Sequence, residues 1–111
     1  MVVRREQSAR SREHKGVLTR VIYECENLEI LRTELEAGSA CDNLESEEFA
    51  TVHFVVDGTP TFRASDRTAD LIPGDCIVFA REKTYTISST APSRSVILSV
   101  LFKDCAKDGN T

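Results

Sequence analysis

No run of apolar residues in this sequence approaches the roughly 20 that a membrane-spanning helix needs. The N-terminus is polar from Arg4 onward and has no apolar core for a signal peptide, so the expected compartment is the cytoplasm. Cysteine is sparse: Cys25, Cys41, Cys76 and Cys105 stand alone, and no two form a Cys-x-x-Cys pair. That spacing gives no support to a zinc knuckle or a thioredoxin-like motif. Without a secretory signal the four read as free thiols, with Cys76 a small core residue beside Ile77-Val78-Phe79. There is no Gly-rich phosphate loop and no Gly-x-Ser-x-Gly turn. No cysteine has an evident base beside it, so nucleophilic catalysis finds no support.

Positive charge is also short. Lysine and arginine total 14 against 18 aspartates and glutamates, a net charge of -4. Wrapping nucleic acid needs clustered cations to neutralise phosphates, so neither nucleic acid nor a membrane is an expected partner. The balance is uneven. Arg4, Arg5, Arg10, Arg12 and Lys15 crowd the first fifteen residues against only Glu6 and Glu13, whereas Asp42, Glu45, Glu47 and Glu48 crowd the middle. The basic stretch reads as a solvated terminal arm, with contact to an anion or a nucleic acid as the sharper alternative.

What remains is ordinary for one soluble domain: 111 residues, 41% hydrophobic and 29% charged. That length can bury a core without disulfides, and the composition excludes disordered and fibrous classes. The chain divides into a basic arm over 1–15, a barrel over 16–103 and a polar tail over 104–111.

Short β-rich runs recur between turn signals. They are 17–23, 28–35, 49–56, 61–64, 76–80, 84–88 and 95–102. Residues 38–48 read as a loop. Asp57-Gly58, Ser65-Asp66-Arg67 and Pro73-Gly74-Asp75 read as turns. Residues 28–35 have helical propensity, but their apolar positions fit no single helical face, and Gly38 stops the run early. Seven or more such strands predict an all-β sandwich or barrel.

Two segments resemble the signature motifs of the cupin superfamily. The first motif runs Gly, five residues, His-x-His, three or four residues, Glu, six residues, Gly. Gly38 and Gly58 stand at its ends. Leu44 and Ser46 stand where the histidines belong, and Thr51 where the glutamate belongs. The second motif begins at Gly74; Ala80 and Glu82 replace its Pro and Gly, Tyr85 its His, and Ser89 its Asn. The resemblance covers about residues 16–103 and implies a small RmlC-like jelly-roll barrel (a double-stranded β-helix) with degenerate metal-binding motifs. It also implies a homodimer.

Relatives hold a divalent transition metal with three histidines and a carboxylate. Leucine donates nothing, and neutral hydroxyls are weak ligands at pH 7. The expectation is therefore no metal and no cofactor. The sharper alternative is a rebuilt site in which Glu45 or Glu47 slips inward beside Cys41, Asp42 and Glu48. His14 stands far along the chain from the pocket.

His53 shares a strand face with Thr51 and Val55. The family pattern turns that face inward, toward Tyr85 of the other motif. The pair reads in two ways. It is an acid-base couple, with His53 as base and Tyr85 as acid, as in metal-free epimerases and dehydratases of the superfamily. Or His53 is a core histidine bonded to a hydroxyl of Thr51 or Tyr85. Leu44, Ser46, Thr51, His53, Glu82 and Tyr85 form the expected pocket, with Thr33 and either Arg32 or Arg63 as further candidates.

Three functions follow. The first is a module holding a small polar organic ligand without metal. The second is a metal-independent isomerase, epimerase or dehydratase. The third is an assembly module, with Val2-Val3 and the arm adding a strand to a partner's sheet edge.

Overall fold

The computed structural model describes residues 1–4, 10–42, 50–80, 84–89 and 92–102. Their regular elements are ten β-strands: β1 Arg10–His14, β2 Val17–Glu24, β3 Leu28–Leu35, β4 Ala40–Asp42, β5 Ala50–Asp57, β6 Pro60–Ala64, β7 Arg67–Asp70, β8 Cys76–Phe79, β9 Tyr85–Ser89 and β10 Ser95–Phe102. They form a six-stranded sheet in the order β1-β2-β3-β10-β5-β8 and a four-stranded sheet in the order β4-β9-β6-β7. Every pairing is antiparallel. The strand over 28–35 is confirmed residue for residue. The β-branched, apolar and cross-strand pairs of its ladders outweigh its helical propensity.

Alternation sets which side chains meet. Successive side chains of a strand point to opposite faces, so one parity of each strand lines the space between the sheets. Val17 of β2, Leu35 of β3, Phe62 of β6, Ile77 and Phe79 of β8, Tyr85 and Ile87 of β9 and Ile97 of β10 make the core. Phe62 and Leu35 are essentially sealed from solvent, and burial of each contributes about 1.5–3 kcal/mol.

Four readings of the sequence are corrected. Cys76 is exposed, because β8 turns Ile77 and Phe79 inward and leaves Cys76 and Val78 on the outer face. Residues 40–42, read as loop, form β4 and pair with β9. Arg67, read as the end of the turn 65–67, instead opens β7 (Arg67–Asp70), which pairs with β6. Residues 10–14, read as part of a solvated arm, form β1 on β2. All five of those β1 side chains are exposed, so the strand carries no apolar pattern to betray it. Among the described residues the sheet therefore reaches back to Arg10.

Turns hold the sheets in register. Pro73-Gly74 is closed by the Asp75 amide donating to the Ile72 carbonyl at 3.0 Å and by the Ile72 amide donating to the Asp75 carboxylate at 3.0 Å. The Gly74 amide then donates to the Val55 carbonyl at 3.0 Å, tying this turn to β5. At the other end, the Gly38 amide donates to the Ser89 carbonyl at 2.8 Å.

Candidate functional site

Strand β5 turns Thr51, His53 and Val55 inward, as its alternation requires. In the six-stranded sheet His53 stands directly opposite Ser99 of β10 on one side and Ile77 of β8 on the other. Tyr85 opens β9 in the facing sheet, paired with Ala64 of β6. The imidazole is 2% exposed and bonded at both nitrogens. Nδ1 lies 2.7 Å from Ser99 Oγ and Nε2 lies 2.6 Å from Tyr85 Oη.

An aromatic box encloses this chain of three groups. The Phe62 ring centroid is 5.2 Å from that of His53, Phe79 is 6.2 Å away, and the Tyr85 ring stacks on Phe79 at 3.7 Å. Burial in these surroundings disfavours the charged imidazolium and pushes the His53 pKa down to about 4. His53 is therefore neutral at pH 7 and donates through only one nitrogen. A phenol is the more acidic hydroxyl, so the better arrangement has Tyr85 donating to Nε2 and Nδ1–H donating to Ser99 Oγ. That leaves the Ser99 proton to point away from the ring.

A cavity of about 700 Å³ opens beside this chain, between the sheets. His53 and Ser99 form its polar floor, Thr19 and Thr33 add hydroxyls, and Val17, Leu31, Ile87 and Ile97 supply apolar wall. Tyr85 and Thr51 do not line it. Tyr85 lies behind His53 rather than across the cavity. Thr51 is fully buried, and its hydroxyl has no partner among the described residues. The hydroxyls on His53 are thus Tyr85 and Ser99, not Thr51.

Strand β1 roofs the mouth. Arg12 stands opposite Thr19 and His14 opposite Val17, so both face the cavity side. His14, far from the pocket along the chain, is at its rim because β1 folds back on β2. Arg10 on the same face is held by Glu24 at 2.6 Å and Glu29 at 3.2 Å. Arg12 has no ion-pair partner among the described residues. Cys41 and Asp42 of β4 stand at the opposite rim. Burial first, and then the Asp42 charge, push the Cys41 thiol up to about 11, opposed by Arg12. The Asp42 carboxylate accepts a hydrogen bond from Thr86 at 3.0 Å.

The metal chemistry of the resemblance does not fit the residues described at its positions. Thr51 and Tyr85 offer only neutral hydroxyls, and both nitrogens of His53 are engaged. Among the described residues no three His, Cys, Asp or Glu side chains converge. Leu44, Ser46, Glu45, Glu47, Glu48 and Glu82 lie outside the described residues. Thr33 lines the cavity, while Arg32 points to the outer face and Arg63 is exposed on β6.

Ser99 is the residue that sequence reasoning missed. Its signal was a hydroxyl in the middle of the inward parity of the apolar run Ser95–Phe102, a parity it shares with Ser95. It also supplies the hydroxyl-and-base contact that no cysteine offered. Yet β10 is bonded on both sides, to β3 and β5, so the amides around Ser99 are spent in the ladders instead of forming an oxyanion hole.

No protein-family model matches the chain, and no curated protein matches it in sequence. Solved structures do match in shape. KdgF from a Halomonas species shares 13% identity over 97% of this chain and 99% of its own, with a TM-score of 0.79. An RmlC-like cupin from Shewanella frigidimarina shares 12% over 94% and 91%, with a TM-score of 0.76. A predicted oxalate decarboxylase from Thermotoga maritima shares 16% over 93% and 99%, with a TM-score of 0.79. Likeness at such low identity is a likeness of architecture: this chain has the all-antiparallel, two-sheet jelly-roll fold of these solved structures.

Proposed function

We propose that the protein is a binding module that holds a small polar organic molecule between its sheets without a metal. The carrying observation is the cavity of about 700 Å³, with apolar walls and a floor of hydrogen-bonding groups. That size and mixture suit a small organic ligand, whose body packs on apolar wall while a few fixed polar groups orient it. Ser99, held by neutral His53, presents a hydroxyl with a set direction. Arg12 at the mouth adds a guanidinium facing the cavity side, which favours a ligand carrying a carboxylate.

The competing enzyme reading makes His53 a base and Tyr85 an acid. A general base needs a free nitrogen within reach of the substrate and a pKa near the working pH. His53 has both nitrogens engaged and a pKa near 4, and Tyr85 lies behind it. The same contacts instead suit the role of orienting Ser99.

Isothermal titration with small hydroxylated monocarboxylates and their primary amides tests the binding reading. The wild type is expected to bind members of the carboxylate series saturably. Thr19→Phe fills the cavity and is expected to abolish that binding, whereas Arg12→Gln weakens the carboxylates by about tenfold and leaves the amides unchanged. Binding that persists in Thr19→Phe would put the ligand elsewhere. Elemental analysis of the purified protein is expected to find no stoichiometric manganese, iron, nickel or zinc. A tight, stoichiometric metal would overturn the metal-free reading.

A further inference from the structure

The outer face of the six-stranded sheet carries a second concavity, of about 320 Å³, on the side away from the cavity. Its lining is unusual for a chain of net charge -4: Arg4, Arg20, Arg32 and Arg94 surround one carboxylate, Glu34, with Val3 and Ile22 beside them. The strands dictate this convergence. Arg20 of β2 and Arg32 of β3 are directly opposed cross-strand partners. Glu34 follows Arg32 on the same face and stands opposite Leu18 of β2 and Val96 of β10. Arg94, one residue before β10, reaches to 3.7 Å from Glu34, and Arg32 bonds the other carboxylate oxygen. Arg4 and Arg20 are each held by a further contact.

Like charges set directly opposite on a sheet destabilise it. The carboxylate shared by Arg32 and Arg94 offsets part of that repulsion and gathers their guanidinium groups at one point. Burial raises the Glu34 pKa, but hydrogen bonding to Arg32 and the charges of Arg32, Arg94 and Arg20 outweigh it and hold the group below its usual range. Glu34 is thus ionised at neutral pH and serves as a fixed anchor for the guanidinium planes. Arginine presents rigid N–H forks that match oxyanions, and several converging forks suit a tetrahedral dianion better than a planar carboxylate, which one fork satisfies. Val3 and Ile22 give the carrier of such a group an apolar side to rest on.

We propose that this arginine pocket binds the phosphoryl group of a small phosphorylated molecule, at a site separate from the cavity between the sheets. The test is titration of the full chain with inorganic phosphate and pyrophosphate at physiological salt, followed by calorimetry and by 31P line width. Saturable binding with a Kd below about 1 mM is expected, with pyrophosphate the tighter. Arg20→Gln and Arg94→Gln are each expected to raise the Kd at least about tenfold. Arg94 is 56% exposed in its side chain, so that variant keeps the fold intact. Arg12→Gln and Arg63→Gln are expected to leave the Kd unchanged. The proposal fails if neither anion saturates below about 10 mM, or if Arg94→Gln binds like the wild type. Loss of binding in Arg12→Gln would move the site to the cavity and overturn it. A single-stranded oligonucleotide that binds far more tightly than pyrophosphate would replace a small phosphorylated ligand with a nucleic acid.

Discussion

Gly58→Ala is expected to destabilise the protein by about 3–5 kcal/mol, at the upper end of what single substitutions do. Two effects add. Gly58 has φ of 84°, in the left-handed region where an L side chain costs about 1–2 kcal/mol. A Cβ there would also strike the Arg94 carbonyl and come within 2.7 Å of Ser95 Cα, both backbone atoms that cannot swing aside. The wall is rigid because Ser95 starts β10, and its hydroxyl is locked to Ser89 at 2.9 Å. Gly74→Ala is the control. Gly74 has a similar φ of 97° but open space around it, so only the conformational part is expected. For a domain whose whole stability is on the order of 5–15 kcal/mol, the Gly58 variant should melt about 15 °C or more below the wild type. Urea unfolding of the two variants checks this. Equal losses at both positions would show that the contact with 94–95 is not what demands glycine.

Acid is expected to destabilise the protein earlier than carboxylate protonation alone would. Burial holds the folded pKa of His53 near 4, against an ordinary value of 6.5. Between those values the unfolded chain binds a proton that the folded chain refuses, so stability rises with pH. The contribution is complete above 6.5 and is lost as pH falls toward 4. Through this group alone the loss is about 2 kcal/mol by pH 5 and about 3 kcal/mol by pH 4. Glu34, held below the usual carboxylate range, adds its own loss only at lower pH. The interval from pH 7 to 5 therefore isolates the histidine. Denaturant midpoints measured across that interval should fall steeply for the wild type and stay nearly flat for His53→Gln, which starts from a lower baseline because Ser99 and Tyr85 lose their shared partner. A flat wild-type profile would mean that water or another group reaches the imidazole.

Both predictions rest on positions that the sequence marked out for different reasons and with different success. Asp57-Gly58 is a turn signal on its face, and its place at the end of the first motif agreed with the jelly roll. The backbone contact that makes Gly58 irreplaceable is formed with residues 94–95, far along the chain. His53 was legible as inward-facing from strand parity, and Tyr85 as its neighbour from the second motif. What parity does not carry is depth. Tyr85 faces the right space but sits behind the imidazole, so a pair that looked like two walls of one pocket is a buried chain ending at Ser99. β1 escaped notice for a related cause: an edge strand with all five side chains exposed has no alternation to read. Arg20 and Arg32 are twelve residues apart, and no local pattern announces that one ladder sets them face to face.

Taken alone, the sequence determined the all-β class, most strand positions, the turns and the inward face of β5. These follow from side-chain period, β-branching and turn chemistry, which act over a few neighbouring residues. Tertiary structure alone decided that Ser99 completes the hydrogen-bonded chain, that Arg12 and His14 roof the cavity, and that four arginines share one outer pocket. Those placements depend on strand order and register, and pairing brings β10 between β3 and β5 from opposite ends of the chain. Contact between residues so distant is set by packing free energy summed over two whole sheets, which no short window of sequence contains.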